Sequence, residues 1–285
     1  MLEMLISPQK AERKPWEMFF VGVFYTSLAI LLVNWIFSQD SVLVNYSGIL
    51  IVTFTVMFSL PFMYYMLKFE EEKTVLNLGS LKLLKEHKKA IYAFLWLFMG
   101  FVVGFSFWYI VLPDTTSFQA QIETYCLINK PSNFEGCVNQ FGNVEETQTT
   151  SFVTSSERLF LIFANNIYVL IFTLIFSLIF GAGAIFILAW NASVIAAAIG
   201  IFTHSQLSAF PIGLIRYMIH GLPEIASYFI AALAGGIISV AIIKREVGTD
   251  SFWCTLQDSL NLIIFSVIIL FIAAITEVFI TPIFF

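Results

Sequence analysis

Apolar residues run along this chain in blocks of about twenty or more, without period-two alternation, and short polar or charged stretches separate the blocks. Crossing a hydrocarbon core about 30 Å thick takes about 20 such residues in a helix. Continuous runs without alternation favour helices over a β-barrel. Seven spans are predicted. The first covers Met18–Phe37 and the second Val42–Leu67, joined by a turn at Gln39 and Asp40, with Pro61 expected to bend the second. Ala90–Leu112 is the third and ends in the interfacial cluster Phe107-Trp108-Tyr109. The stretch Leu159–Phe202 is about twice a bilayer long, so it is read as two spans broken at Gly181-Ala182-Gly183. The sixth span is placed at Leu222–Ile243 and the seventh at Ser259–Ile283. Ile199–Ile219 is left either as an outer loop or as a re-entrant segment.

Two segments fall outside this pattern. Phe69–Lys89 carries Leu81 and Leu84 among lysines and reads either as an interfacial amphipathic helix or as a solvated charged linker. Pro113–Arg158 is a polar loop with six carboxylates against Lys130 and Arg158. Its part Glu145–Ser156, rich in Thr and Ser, has no apolar pattern and is expected to be mobile. The organisation is therefore a hairpin over 1–67, a linker over 68–89, and a five-helix core over 90–285 that carries the loop 113–158.

Composition agrees with the pattern. Residues of the AVILMFWYC set make up 59% of the chain and charged residues 12%, about half the charge of a soluble domain. The fold class is all-α, a polytopic membrane bundle. Basic residues cluster before the first span (Lys10, Arg13, Lys14), between the second and third (Lys68 to Lys89), and after the sixth (Lys244, Arg245). By the positive-inside rule the N-terminus is cytoplasmic and, after seven crossings, the C-terminus is extracellular, as expected of a multi-pass protein of the plasma membrane. Met1–Trp16 holds no apolar signal core, so the first span is expected to direct insertion.

Cys126 and Cys137 would then face an oxidising environment, where a structural disulfide is expected, while Cys254 lies on the inner side as a free thiol. Asn45-Tyr46-Ser47 and Asn191-Ala192-Ser193 match a glycosylation sequon. The second lies inside a span, which shows how little so short a pattern carries.

Candidate chemistry gathers in the C-terminal half. Arg216, His220 and Glu224 recur at spacing four where a span begins, so a helix would place them on one face, and Glu277 lies near the outer end of the last span. Charge inside a membrane pairs, lines a polar path or takes part in chemistry. A structural clasp with a His220–Glu224 bridge, a substrate or proton path, and catalysis are the competing roles, with the clasp favoured. Asn165, Asn166 and Asn191 are expected to face the bundle and bond across helices, at about 0.6 kcal/mol each. No HExxH, nucleophile elbow, Walker A or GxGxxG pattern occurs, and His220 with Glu224 offers too few ligands for zinc. An enzyme is therefore not expected. No cofactor, metal or nucleic acid is implied. The expected partners are the lipid bilayer and other proteins.

Two stretches resemble one family. They are NNIYVLIFTLIFSLIFGAGAIFILAWNASVIAAAIG, Asn165–Gly200, and HGLPEIASYFIAALAGG, His220–Gly236. Together they resemble the stage II sporulation protein M family of integral membrane proteins, loosely also over the third and seventh spans and not over the first two. Ala192 stands where the family pattern usually has Gly. The resemblance implies a five-helix core and a non-enzymatic membrane scaffold or anchor that positions partner proteins. The alternative is a permease or permease subunit with a polar site near His220, Glu224 and Glu277, motivated by the broken fourth–fifth hairpin and the Gly-rich helices near buried charges.

Overall fold

In a computed structural model the chain is helical throughout its described residues, which are 7–37, 39–40, 42–74, 80–112, 116–129, 134–142, 155–180, 183–203 and 206–284. A short helix α1 (Pro8–Arg13) precedes α2 (Glu17–Phe37). Lys10 and Lys14 reach Glu17 at 3.3 and 3.4 Å, joining the two. Then come α3 (Ser47–Thr74) and α4 (Ser80–Val111). After α4 the chain forms α5 (Gln119–Asn129) and α6 (Phe134–Gly142). The rest is α7 (Ser155–Phe180), α8 (Ala184–Phe202), α9 (Phe210–Ile243) and α10 (Asp250–Ile275), which passes through a π-helical turn at Thr276–Ile280 into α11 (Thr281–Phe284).

Among the described residues, seven helical stretches are long and apolar enough to cross a membrane, which agrees with the predicted number of spans. The protein is a multi-pass helical membrane protein.

Helix α9 is the centre. Every residue from Ser227 to Ala241 is buried, so this segment shows no lipid face. Helices α7, α8 and α10 pack on it, and α3 and α4 add contacts from the N-terminal side. On α7, Ser177 Oγ donates to the Ala232 carbonyl of α9. The first and third spans run parallel and close: Gly22 faces Gly100, and Gly104 faces Thr26. The pair is fastened by Trp108 Nε1 donating to Ser27 Oγ at 2.9 Å.

Three boundaries differ from the sequence expectations. Phe69–Lys89 does not form a separate interfacial helix among the described residues. Its first part continues α3 to Thr74 and its last part opens α4 at Ser80. Burial explains this, because Glu70, Glu71 and His87 are packed inside rather than solvated. The sixth span starts at Phe210, not Leu222, because the helix carries on through Pro223. That leaves only Thr203–Ala209 between α8 and α9. Neighbouring helices satisfy the backbone that a proline frees. The seventh starts at Asp250, where Thr249 caps it by accepting from Phe252 N at 3.2 Å. Pro61 lies within an unbroken α3. The segment expected to be mobile, 145–156, lies outside the described residues except for its last two.

The polar loop is built into the bundle at its start. Phe118 is buried against the rings of Phe105 and Tyr109. Gln121 Nε2 donates to Gly48 O at 2.9 Å and to Ser193 Oγ at 3.3 Å, fixing α5 on α3 and α8. Cys126 and Cys137 are joined by a disulfide, with their Cα atoms 5.7 Å apart, which links α5 to α6. This end is called the loop end below. The opposite one, with Lys10, Lys14 and Lys244, is the basic end.

Candidate functional site at the loop end

Spacing of four carries Arg216, His220 and Glu224 up one side of α9, and Tyr228 continues the same stripe one turn further. Two further helices complete the surroundings. Helix α7 supplies Arg158, Asn165 and Asn166, the π-turn after α10 supplies Glu277, and α11 supplies Thr281.

Glu224 is held by neutral donors. Tyr228 Oη donates to its Oε1 at 2.9 Å, and the Asn166 side chain bonds to it from α7. Beside it, Ser227 Oγ donates to the Glu224 carbonyl at 2.8 Å. His220 turns to the last helix: its Nδ1 lies 3.2 Å from Thr281 Oγ1. The same hydroxyl lies 3.2 Å from the Thr276 carbonyl, so Thr281 stands between the imidazole and the backbone of the π-turn. Glu277 is within electrostatic reach of Glu224, and Arg158 acts on Glu277 from the loop end of α7. Arg216 lies 4.5 Å over the ring of Phe202. Its neighbour Tyr217 bonds to Tyr125 of α5, which ties the loop to α9. Burial pushes the Tyr125 phenol up from its ordinary range, although the bond from Tyr217 works against this.

The expected clasp is not made. Among the described residues the ion pairs are Lys10–Glu17, Lys14–Glu17, His87–Glu70 and Lys244–Glu71, so His220 and Glu224 do not bridge and Arg216 meets neither Glu224 nor Glu277. Each group has a nearer partner: a threonine, a phenol with an amide, and an aromatic face. The asparagines divide. Asn166 is buried and bonds across helices, Asn165 is exposed, and Asn191 donates to its own helix at Ile187 O, 2.8 Å. Gly183 stands at the start of α8, while Gly181 lies outside the described residues.

Sequence reasoning missed Tyr228, Thr281 and the Tyr125–Tyr217 bond. Tyr228 was accessible, because it extends the ladder of four. Thr281 was not, because a π-turn changes which residues share a face. Groups of three or more His, Cys, Asp and Glu that could hold a metal ion are absent among the described residues.

The comparisons with known proteins bear on this region directly. The chain matches the family described as Stage II sporulation protein M over residues 93–282, a range that holds every residue of the cluster, the disulfide and α5 to α10. No curated protein and no solved structure matches the chain. With a match over more than half of its length, the chain belongs to the stage II sporulation protein M family.

Proposed function

We propose that the chain is a non-enzymatic scaffold of the plasma membrane, with its N-terminus cytoplasmic and its C-terminus outside, that holds partner proteins on its loop end. The observation that carries this is the construction of α5 and α6. A disulfide joins them, Gln121 and Phe118 anchor them to α3, α4 and α8, and the Tyr125–Tyr217 bond anchors them to α9. A segment meant only to link two spans needs none of this. Leu127 and Phe134, exposed on either side of the disulfide, give the platform apolar contact points.

Crosslinking and mild-detergent co-purification from the native membrane test the reading. A partner held by the wild type and lost from Cys126→Ser/Cys137→Ser, with the bundle still folded, is expected. A chain that purifies alone, or a partner kept equally by both proteins, overturns it.

A permease or permease subunit is the second reading, and one arrangement favours it. Glu224, bonded to the neutral Tyr228 and Asn166, lies within electrostatic reach of Glu277 on a π-turn that can rearrange. Substrate flux into proteoliposomes that Glu277→Gln abolishes would replace the scaffold reading. No flux in either protein would remove the permease.

A further inference from the structure

At the basic end the bundle buries a second polar group. His87 Nδ1 is 2.6 Å from Glu70 Oε2, and both side chains are fully buried. Next to Glu70, Glu71 is paired with Lys244 at the end of α9. Helix α10 packs on α4 and brings Asp258, 7% exposed, within electrostatic reach of His87. Among the described residues, His87 Nε2, Asp258 Oδ2 and Ser259 Oγ are buried atoms of this end without a hydrogen-bond partner.

Orphaned polar atoms are costly, about 1–3 kcal/mol each, and native proteins leave few of them. Here two lie on residues that act on each other. The imidazole nitrogens sit on opposite edges of the ring. With Nδ1 turned to Glu70 on α3, Nε2 faces away from that helix. Whatever joins Nε2 to Oδ2 must suit both an imidazole nitrogen and a carboxyl oxygen. Water suits either form of the ring. It donates one hydrogen to Asp258, and it can donate the other to the Nε2 lone pair or accept the Nε2 hydrogen. A cation suits only the form with a lone pair. For a metal, two ligands are too few.

We propose that a bound water bridges His87 Nε2 and Asp258 Oδ2 and completes a relay, Glu70–His87–water–Asp258, from α3 across α4 to α10. Glu70 and His87 precede the family match at residue 93, and Asp258 lies within it. The water thus couples the N-terminal hairpin to the family region at a site with no counterpart in the loop-end cluster.

The test uses the full chain in nanodiscs with histidine labelled by nitrogen-15. Only three histidines are present, and His87→Gln assigns the relevant signals by removing them. Water-edited solid-state NMR should carry magnetisation from water to the His87 ring. Asp258→Leu should abolish that transfer while the His220 signals stay in place. Asp258→Asn, whose amide oxygen still accepts, should retain it. Loss of stability in His87→Gln/Asp258→Leu should be smaller than the sum of the single losses, because each change removes one end of the bridge held by the same water. No transfer to His87 in the wild type, transfer that survives Asp258→Leu, or strictly additive losses would each overturn the bridge.

Discussion

Two glycines show how much a single hydrogen in place of a methyl can decide. A Cβ on Gly100 would lie 2.9 Å from the Gly22 Cα and closer still to the Phe19 carbonyl. Both neighbours are backbone, so only separating α2 from α4 relieves the clash. Gly100→Ala should therefore destabilise the protein by about 1–3 kcal/mol. At Gly221 the same atom meets only the flexible Met218 Cε at 3.5 Å, and Gly221→Ala should be near neutral. Melting of the two variants in one detergent checks the contrast. Glu224 offers a second pair. Glu224→Ala strands the Tyr228 hydroxyl and the Asn166 amide and should cost about 1–3 kcal/mol. Glu224→Gln keeps a carbonyl in the same place and should cost little. A clasp to His220 would have made both variants costly, so equal losses would argue for an ion pair that the structure does not contain.

Among the elements, α5 and α6 have the most to lose. Reducing Cys126–Cys137 should lower stability by about 2–3 kcal/mol, in keeping with a short closed loop. Thermal melting with and without reductant measures it, and non-reducing mass spectrometry verifies the bond. The Tyr125 contact gives a pH signature. Its phenol titrates higher in the folded protein than in the unfolded chain because burial penalises the anion. The folded state then binds more protons once the pH exceeds about 10, the ordinary tyrosine value. Its contribution is present in full below that pH and is lost as the pH rises through the folded pKa. Tyr125→Phe should flatten this alkaline loss. A profile unchanged by the substitution would place the cause elsewhere. The spans themselves were legible because twenty apolar residues can satisfy a membrane in few other ways. The disulfide was legible because topology put both cysteines on one side. Boundaries at Ser80 and Phe210 were not, because burial of Glu70 and His87, and tolerance of Pro223, depend on neighbours far away in the chain.

For the whole molecule, the loop-end stripe was read correctly as far as one helix face reaches. Arg216, His220 and Glu224 do share α9, but the groups they act on come from α5, α7, α8 and α11, which periodicity cannot pair. The basic-end relay lay hidden for the same reason: Glu70, His87 and Asp258 sit in three separate helices. Helix α9, buried on every side from Ser227 to Ala241, has a consequence for biogenesis. Lipid is no substitute for its neighbours, since a strip of Gly, Ala and Ser offers tails little to grip and much to an adjoining helix. The sixth span to be synthesised therefore stays unfinished until the seventh, α10, arrives. A chain arrested before Asp250 would leave the α10-facing side of that small-residue surface uncovered, so burial of α9 is completed only when α10 packs on it.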